Sequence, residues 1–261
     1  MLVSSALLGA AAGATAVLRV VSDEGPAVRV GKGDKQGPLL LLDKLRSELA
    51  TYLQSQGTST IDTFLESAPA PSDDAWRLPQ PPEIAEDGWV FVPPMPRNCN
   101  NSSGGTGIAI VEADEHRDRF RIDVRSGPSE HAWAMASPCL AFTPDRDGTV
   151  LARTAIVLYG AVAADSERQG ATLARITAWI AHCHPQELGR YSERMGFSTN
   201  GMAGTVQLSN FVLLHQTQFP VQAGVEHLFG TGVVAACAAK AGAVGMKLSG
   251  RIAYMTVEML E

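Results

Sequence analysis

His182-Cys183-His184 is the densest group of metal-binding side-chain types in this 261-residue chain. On a helix, residues two apart point about 200° away from each other, so the two imidazoles diverge unless the helix has already ended, as Pro185 permits. A zinc site needs three or four such ligands, and no second pair stands at ligand spacing. The cluster therefore reads as a helix C-terminus, where a cationic His suits the dipole. Cys139, with His131 eight residues before it, has the residue types of a nucleophile and its base. Ser137-Pro138 breaks the strand that would hold both on one face, so Cys139 reads as a buried thiol. The four cysteines, Cys99, Cys139, Cys183 and Cys237, show neither zinc nor thioredoxin spacing. They are expected as free thiols of a reducing compartment, with disulfides only in a secreted protein. No catalytic residue, metal or cofactor is expected.

Two glycine-rich stretches invite other chemistry. Asn98 to Gly107 is polar and flexible, but a phosphate cradle follows a strand, opens a helix and, in the Walker form, supplies a Lys. This stretch precedes a strand and has no Lys, so it reads as a long turn. Asn100 and Asn101 each begin an N-x-S sequon, which matters only in a secretory setting. Gly230-Thr231-Gly232, running on to Cys237, resembles the Gly-Thr-Gly helix start of cofactor-independent amino-acid racemases and epimerases. Phe229 stands where their catalytic Cys would be, so the resemblance carries no chemistry over.

Arg119, Arg121 and Arg125 are the remaining candidates. Phe120, Ile122 and Val124 alternate with them, so a strand sends the apolar set inward and the three arginines to one outer face. That face is a candidate contact for nucleic acid or a neighbouring subunit. The net charge of −6 argues against the whole chain neutralising many phosphates, so a genome contact is expected to be weak at most.

The elements needed to hold these residues are mostly strands. Residues 1–18 carry no charged side chain and are read as an apolar arm packed on the chain or on a neighbour. They lack the basic flank of a signal peptide, and no membrane span is expected. Residues 19–67 read as a strand pair (16–21 and 27–30), a helix opened by Gly37-Pro38 and a short helix from the Ser59–Asp62 capping box to Leu65. Eight of the fifteen prolines fall in residues 68–98, an extended connector containing a strand at Trp89–Val92. Trp76, Trp89 and Phe91 mark it as a connector laid on a surface. Residues 99–261 form a β-rich core. Within it, Leu173, Ile176, Trp179, Ile180 and Cys183, then Leu188, Tyr191 and Met195, recur at helical spacing and predict a helical insertion over 166–196. Val225–Val244 reads equally as helix or tight loop. Thr149–Ala163 is a strand buried on both faces, Thr205–Gln218 is another, and Lys247–Leu260 must be paired within a sheet.

The expected fold is thus mainly β with helical insertions, an antiparallel β-sandwich of jelly-roll type. Hydrophobic residues make up 45% and charged residues only 18%, which leaves little charge to cover a lone monomer. The expectation is a structural, self-assembling subunit such as a viral capsid, coat or capsid-surface protein, in a virion or intracellular assembly. Its partners would be copies of itself and other shell subunits. Two further classes stay open: a small-molecule enzyme of hydrolase or isomerase type with a site at a subunit interface, and a secreted or surface binding module.

Overall fold

The computed structural model describes residues 60–68, 70–84, 88–92, 99–114, 119–165, 170–184, 187–199, 201 and 203–260. The arm at 1–18, the strand pair and the helix after Pro38 lie outside the described residues. Helix α1 (Thr60–Ser67) contains the short helix expected up to Leu65, Ser59 of the capping box lying outside the described residues, and a short 3-10 turn occupies Asp73–Ala75. The strands are β1 (Trp89–Phe91), β2 (Cys99–Gly105), β3 (Ile108–Asp114), β4 (Arg119–Ser126), β5 (Glu130–Phe142), β6 (Gly148–Asp165), β7 (Thr172–His184), β8 (Glu187–Ser198), β9 (Gly204–Val221), β10 (His227–Ala239) and β11 (Ala243–Leu260). They form two antiparallel sheets. One runs β3-β4-β11-β6-β9, with β1 pairing the far half of β11, and the other runs β2-β5-β10-β7-β8. The fold is a β-sandwich, as the strand patterning predicts.

Alternation builds the interior. Phe120, Ile122 and Val124 of β4, Val244, Met246 and Leu248 of β11, and Ala174, Ile176, Ala178 and Ile180 of β7 are all buried in one cluster between the sheets. Small residues on β5, β7 and β10 leave room for large ones such as Phe219 and Phe229 to fill the gap between the sheets.

The helical insertion over 166–196 is corrected by β7 and β8, which pair as a hairpin from Arg175↔Ser198 to His184↔Glu187. Its apolar residues are spread over both faces of β7. Ile176 and Ile180 point inward, whereas Trp179 and Ala181 join a second buried cluster on the outer side. A strand buried on both sides loses its period of two, and chance spacings of three and four then imitate a helix. β10 was obscured for the same reason. It is the central strand of its sheet, between β5 and β7, and its Gly and Ala residues make that close packing feasible.

Proline and glycine misled in the opposite sense. β5 runs straight through Ser137-Pro138, and the β5/β10 register omits the Thr231 and Gly232 positions facing them. Pro138 has no N–H to give that ladder, and the Thr231 hydroxyl donates instead to the Trp179 carbonyl at 2.8 Å. The expected turn from Asn98 to Gly107 is largely strand β2, paired to β5 from Cys99↔Pro138 to Gly105↔Ala132. Gly105 ends it at φ +120°, with the His131 carbonyl 2.2 Å from where a Cβ would sit, so only glycine fits.

Part of the outer face of the β3-β4-β11-β6-β9 sheet is covered by the chain itself. Ile61 and Leu65 of α1 bury Ala161 and Ala163 of β6. The proline-rich connector then crosses the sheet, with Trp76 edge-on to Tyr159 at 4.9 Å between ring centroids. β6 is therefore buried on both faces, as its composition requires.

Candidate functional site

β4 presents Arg119, Arg121 and Arg125 on the outer face, and the structure spends two of these charges internally. Arg125 is only 7% exposed. Its guanidinium donates to Asp123 at 2.8 and 2.7 Å, to Asp62 at 2.9 Å and to Glu66 at 2.5 Å. Burial opposes its charge, but the hydrogen bonds and charges of Asp123, Glu66 and Asp62 outweigh that and raise its pKa further. Lys247 reaches the other Glu66 oxygen at 2.6 Å. The bonds from Lys247 and then Arg125 hold the Glu66 carboxyl below the usual glutamate range. This cluster fastens α1 to the sheet. Arg119 pairs with Asp73 at 2.6 Å. Arg121 is exposed, opposite Glu112 in the β3/β4 register. Beside it a cleft of about 340 Å³ opens between Ala68–Ala70 and the strands, lined by Glu112, Arg121, Asp123, Lys247 and Ser249. Its charges are of both signs.

Exposed large apolar side chains lie elsewhere, on the edge strands β8 and β9. On β9, Leu213 and Phe219 point into the core, so Val212 and Leu214 alternate to the outside, 38% and 49% exposed. Met195 of β8 is 55% exposed. Arg194 of β8 donates to the Leu214 carbonyl at 2.9 Å and holds the two edges together. His215 packs in the same seam with a hydrogen bond to the Ser192 backbone, and burial lowers its pKa. The sequence carried a trace of this surface. In the polar alternation Gln216, Gln218 of β9, the two preceding positions on that face are Val212 and Leu214.

His182 and Cys183 lie on a strand, which corrects the helix-terminus reading. His182 is buried beside His227, a partner 45 residues away that spacing could not reveal. Cys139 and Cys237 are buried thiols. His131 and Cys139 both belong to the continuous strand β5, but His131 contacts the Thr106 hydroxyl at 3.5 Å, eight residues from the thiol. Gly230-Thr231-Gly232 lies within strand β10, with no helix start. Among the described residues, no helix is long and apolar enough to cross a membrane.

No protein-family model and no curated protein matches the chain. Solved structures resemble it distantly. One concerns carbohydrate-binding modules of the β-sandwich superfamily, at 12% identity and a TM-score of 0.27 over 64% of this chain and 58% of that one. The carbohydrate-binding module CBM4 aligns at 8% identity and TM-score 0.23, covering 64% of this chain and 85% of its own. The glycoside hydrolase domain of Endo-D from Streptococcus pneumoniae R6 aligns at 11% identity and TM-score 0.25, covering 60% and 21%. At these TM-scores the likeness carries no argument.

Proposed function

We propose that this chain is a structural subunit that associates with copies of itself, of the kind that builds a shell such as a virion coat. The observation that carries the reading is the exposure of Val212 and Leu214 on one face of the edge strand β9, with Met195 exposed on the edge strand β8. Each of these is an apolar side chain about half exposed, so removing the rest of it from water is worth about 1 kcal/mol. Low charge density supports the same reading, since only 18% of residues are charged. The contact is made by side chains more than by strand addition, because Arg194 already occupies the Leu214 carbonyl on the β9 edge.

Size-exclusion chromatography with light scattering tests the proposal. The wild-type chain is expected to run as an oligomer at micromolar concentration, and the double variant Val212→Lys, Leu214→Lys as a smaller species with an unchanged circular dichroism spectrum. A wild-type monomer would refute it. Negative-stain imaging of the oligomer then separates a closed shell from a small assembly.

A further inference from the structure

The strand β7 histidine and the first residue of β10 form a hydrogen-bonded pair inside the sandwich. His182 is 3% exposed and His227 fully buried, and His182 Nε2 lies 2.9 Å from His227 Nδ1. The His182 ring stacks on Phe219 at 4.0 Å and 8°, and His227 stacks on Phe142 at 5.7 Å and 29°. Beyond the pair, His227 Nε2 faces both polar groups of the Gln222 backbone. The Gln222 N–H donates to it at 3.0 Å, and the Gln222 carbonyl oxygen is 3.4 Å away.

These distances assign the tautomers. Because Gln222 donates to Nε2 of His227, that nitrogen carries no proton, and the ring's proton sits on Nδ1. His227 then donates to Nε2 of His182. Proton uptake at His227 Nε2 leaves the bond between the histidines intact but removes the acceptor of the Gln222 amide. The new N–H repels the amide and attracts the Gln222 carbonyl, which is already within reach.

We infer that His227 is a proton-operated latch on the β9–β10 turn, which acid switches from holding the Gln222 amide to holding its carbonyl. The rest of the turn is fixed by other groups. The Ala223 amide donates to Asp147 at 2.7 Å and the Gly224 amide to the Pro144 carbonyl at 2.8 Å. Among the described residues, the charged groups placed near the pair can be named. Glu226 adjoins His227 and is exposed, Asp147 lies under the turn, and Arg190 stands opposite His182 in the β7/β8 register. The facing residues of β5 and β9, Phe142 and Phe219, do not titrate. Protonation is thus read out mainly by the Gln222 backbone.

Amide hydrogen exchange on the intact chain tests the latch, with protection factors corrected for the intrinsic rate at each pH. Between pH 8 and pH 5, Gln222 is expected to lose about tenfold in protection, the scale of one net hydrogen bond. Gly224, whose acceptor does not titrate, is expected to keep its value. Imidazole nitrogen shifts should show His227 neutral as the Nδ1–H form at pH 8. In His227→Phe, Gln222 should be weakly protected at both pH values. Equal losses at Gln222 and Gly224 would indicate general opening and overturn the proposal, as would a Gln222 amide indifferent to pH. The nitrogen shifts of the wild-type protein decide the question alone should the variant fail to fold, since an Nε2–H tautomer at pH 8 also overturns it.

Discussion

Asn210 of β9 accepts the backbone N–H of Arg77 on its Oδ1 at 3.1 Å, joining residues 133 apart in sequence. The same oxygen lies 3.3 Å from the Tyr159 hydroxyl, which also donates to the Ala75 carbonyl. Asn210 adopts φ +50°, at the point where the β6/β9 register shifts. Asparagine tolerates that left-handed backbone, and its amide then projects to the connector. The bulge thus becomes the fastener for the proline-rich segment. Two substitutions separate the roles. Asn210→Gly keeps the backbone and loses the fastener, and is expected to cost about 1 kcal/mol. Asn210→Ala adds backbone strain of about 1 kcal/mol more. Urea titration gives both values, and iodide quenching should show Trp76 more accessible in either variant.

The Arg125 cluster predicts both a large mutational effect and an acid dependence. Arg125→Ala leaves Asp62, Glu66 and Asp123 facing one another without their shared cation, and is expected to cost about 3 kcal/mol. Glu66 has a folded pKa below its ordinary value. Its contribution is therefore complete above the ordinary glutamate value and is lost as pH falls through the folded one. Glu66→Gln should remove that part of the acid dependence at a cost below about 1 kcal/mol at pH 7, because the carboxylate is more than half exposed. Denaturant midpoints at pH 7 and pH 3.5 for both proteins measure it. Parallel midpoint shifts would show that Glu66 plays no part.

Cys237 makes a chemical prediction. It is fully buried, its Sγ lies 3.7 Å from the Val124 carbonyl, and burial pushes its pKa well above the usual thiol value. A thiol that cannot ionise does not react. Brief alkylation of the native protein followed by peptide mass spectrometry should leave Cys237 unmodified, and modification should begin only in denaturant. Rapid labelling in native buffer would contradict the packing.

The sequence made one-sided strands legible and two-sided strands ambiguous. β4 alternates Phe120, Ile122 and Val124 against arginines because its inner face is apolar and its outer face polar, and its position and orientation follow directly. β7 and β10 are apolar on both faces, so periodicity distinguishes neither strand from helix. The alternation of β11 is readable only in halves. Ile252 and Met255 both point inward because Ala253 is the extra residue where the β6 register shifts. The candidate surface is harder to see, since the exposure of Met195 and of Leu214 depends on which strands end at the edges of the two sheets. No local spacing encodes edge position.

The arginine face can now be weighed by its partners. Alternation correctly places Arg119, Arg121 and Arg125 on one side, but an arginine bound to carboxylates has little charge to offer a phosphate. Arg125 holds three of them and Arg119 holds Asp73. Arg121 is the most available, with Glu112 opposite and Asp123 two residues away. One neutralised phosphate gives a log-log salt slope of about −0.9. The prediction is therefore weak, sequence-independent binding to a labelled oligonucleotide, with a slope near −1 between 50 and 200 mM salt. Arg121→Ala should abolish that binding without changing the unfolding midpoint, whereas Arg125→Ala should lower the midpoint first. Fluorescence anisotropy and urea titration on the same variants provide both measurements. A slope steeper than about −3 would mean that all three guanidinium groups leave their carboxylates for phosphate, and the contacts drawn here would have to break together.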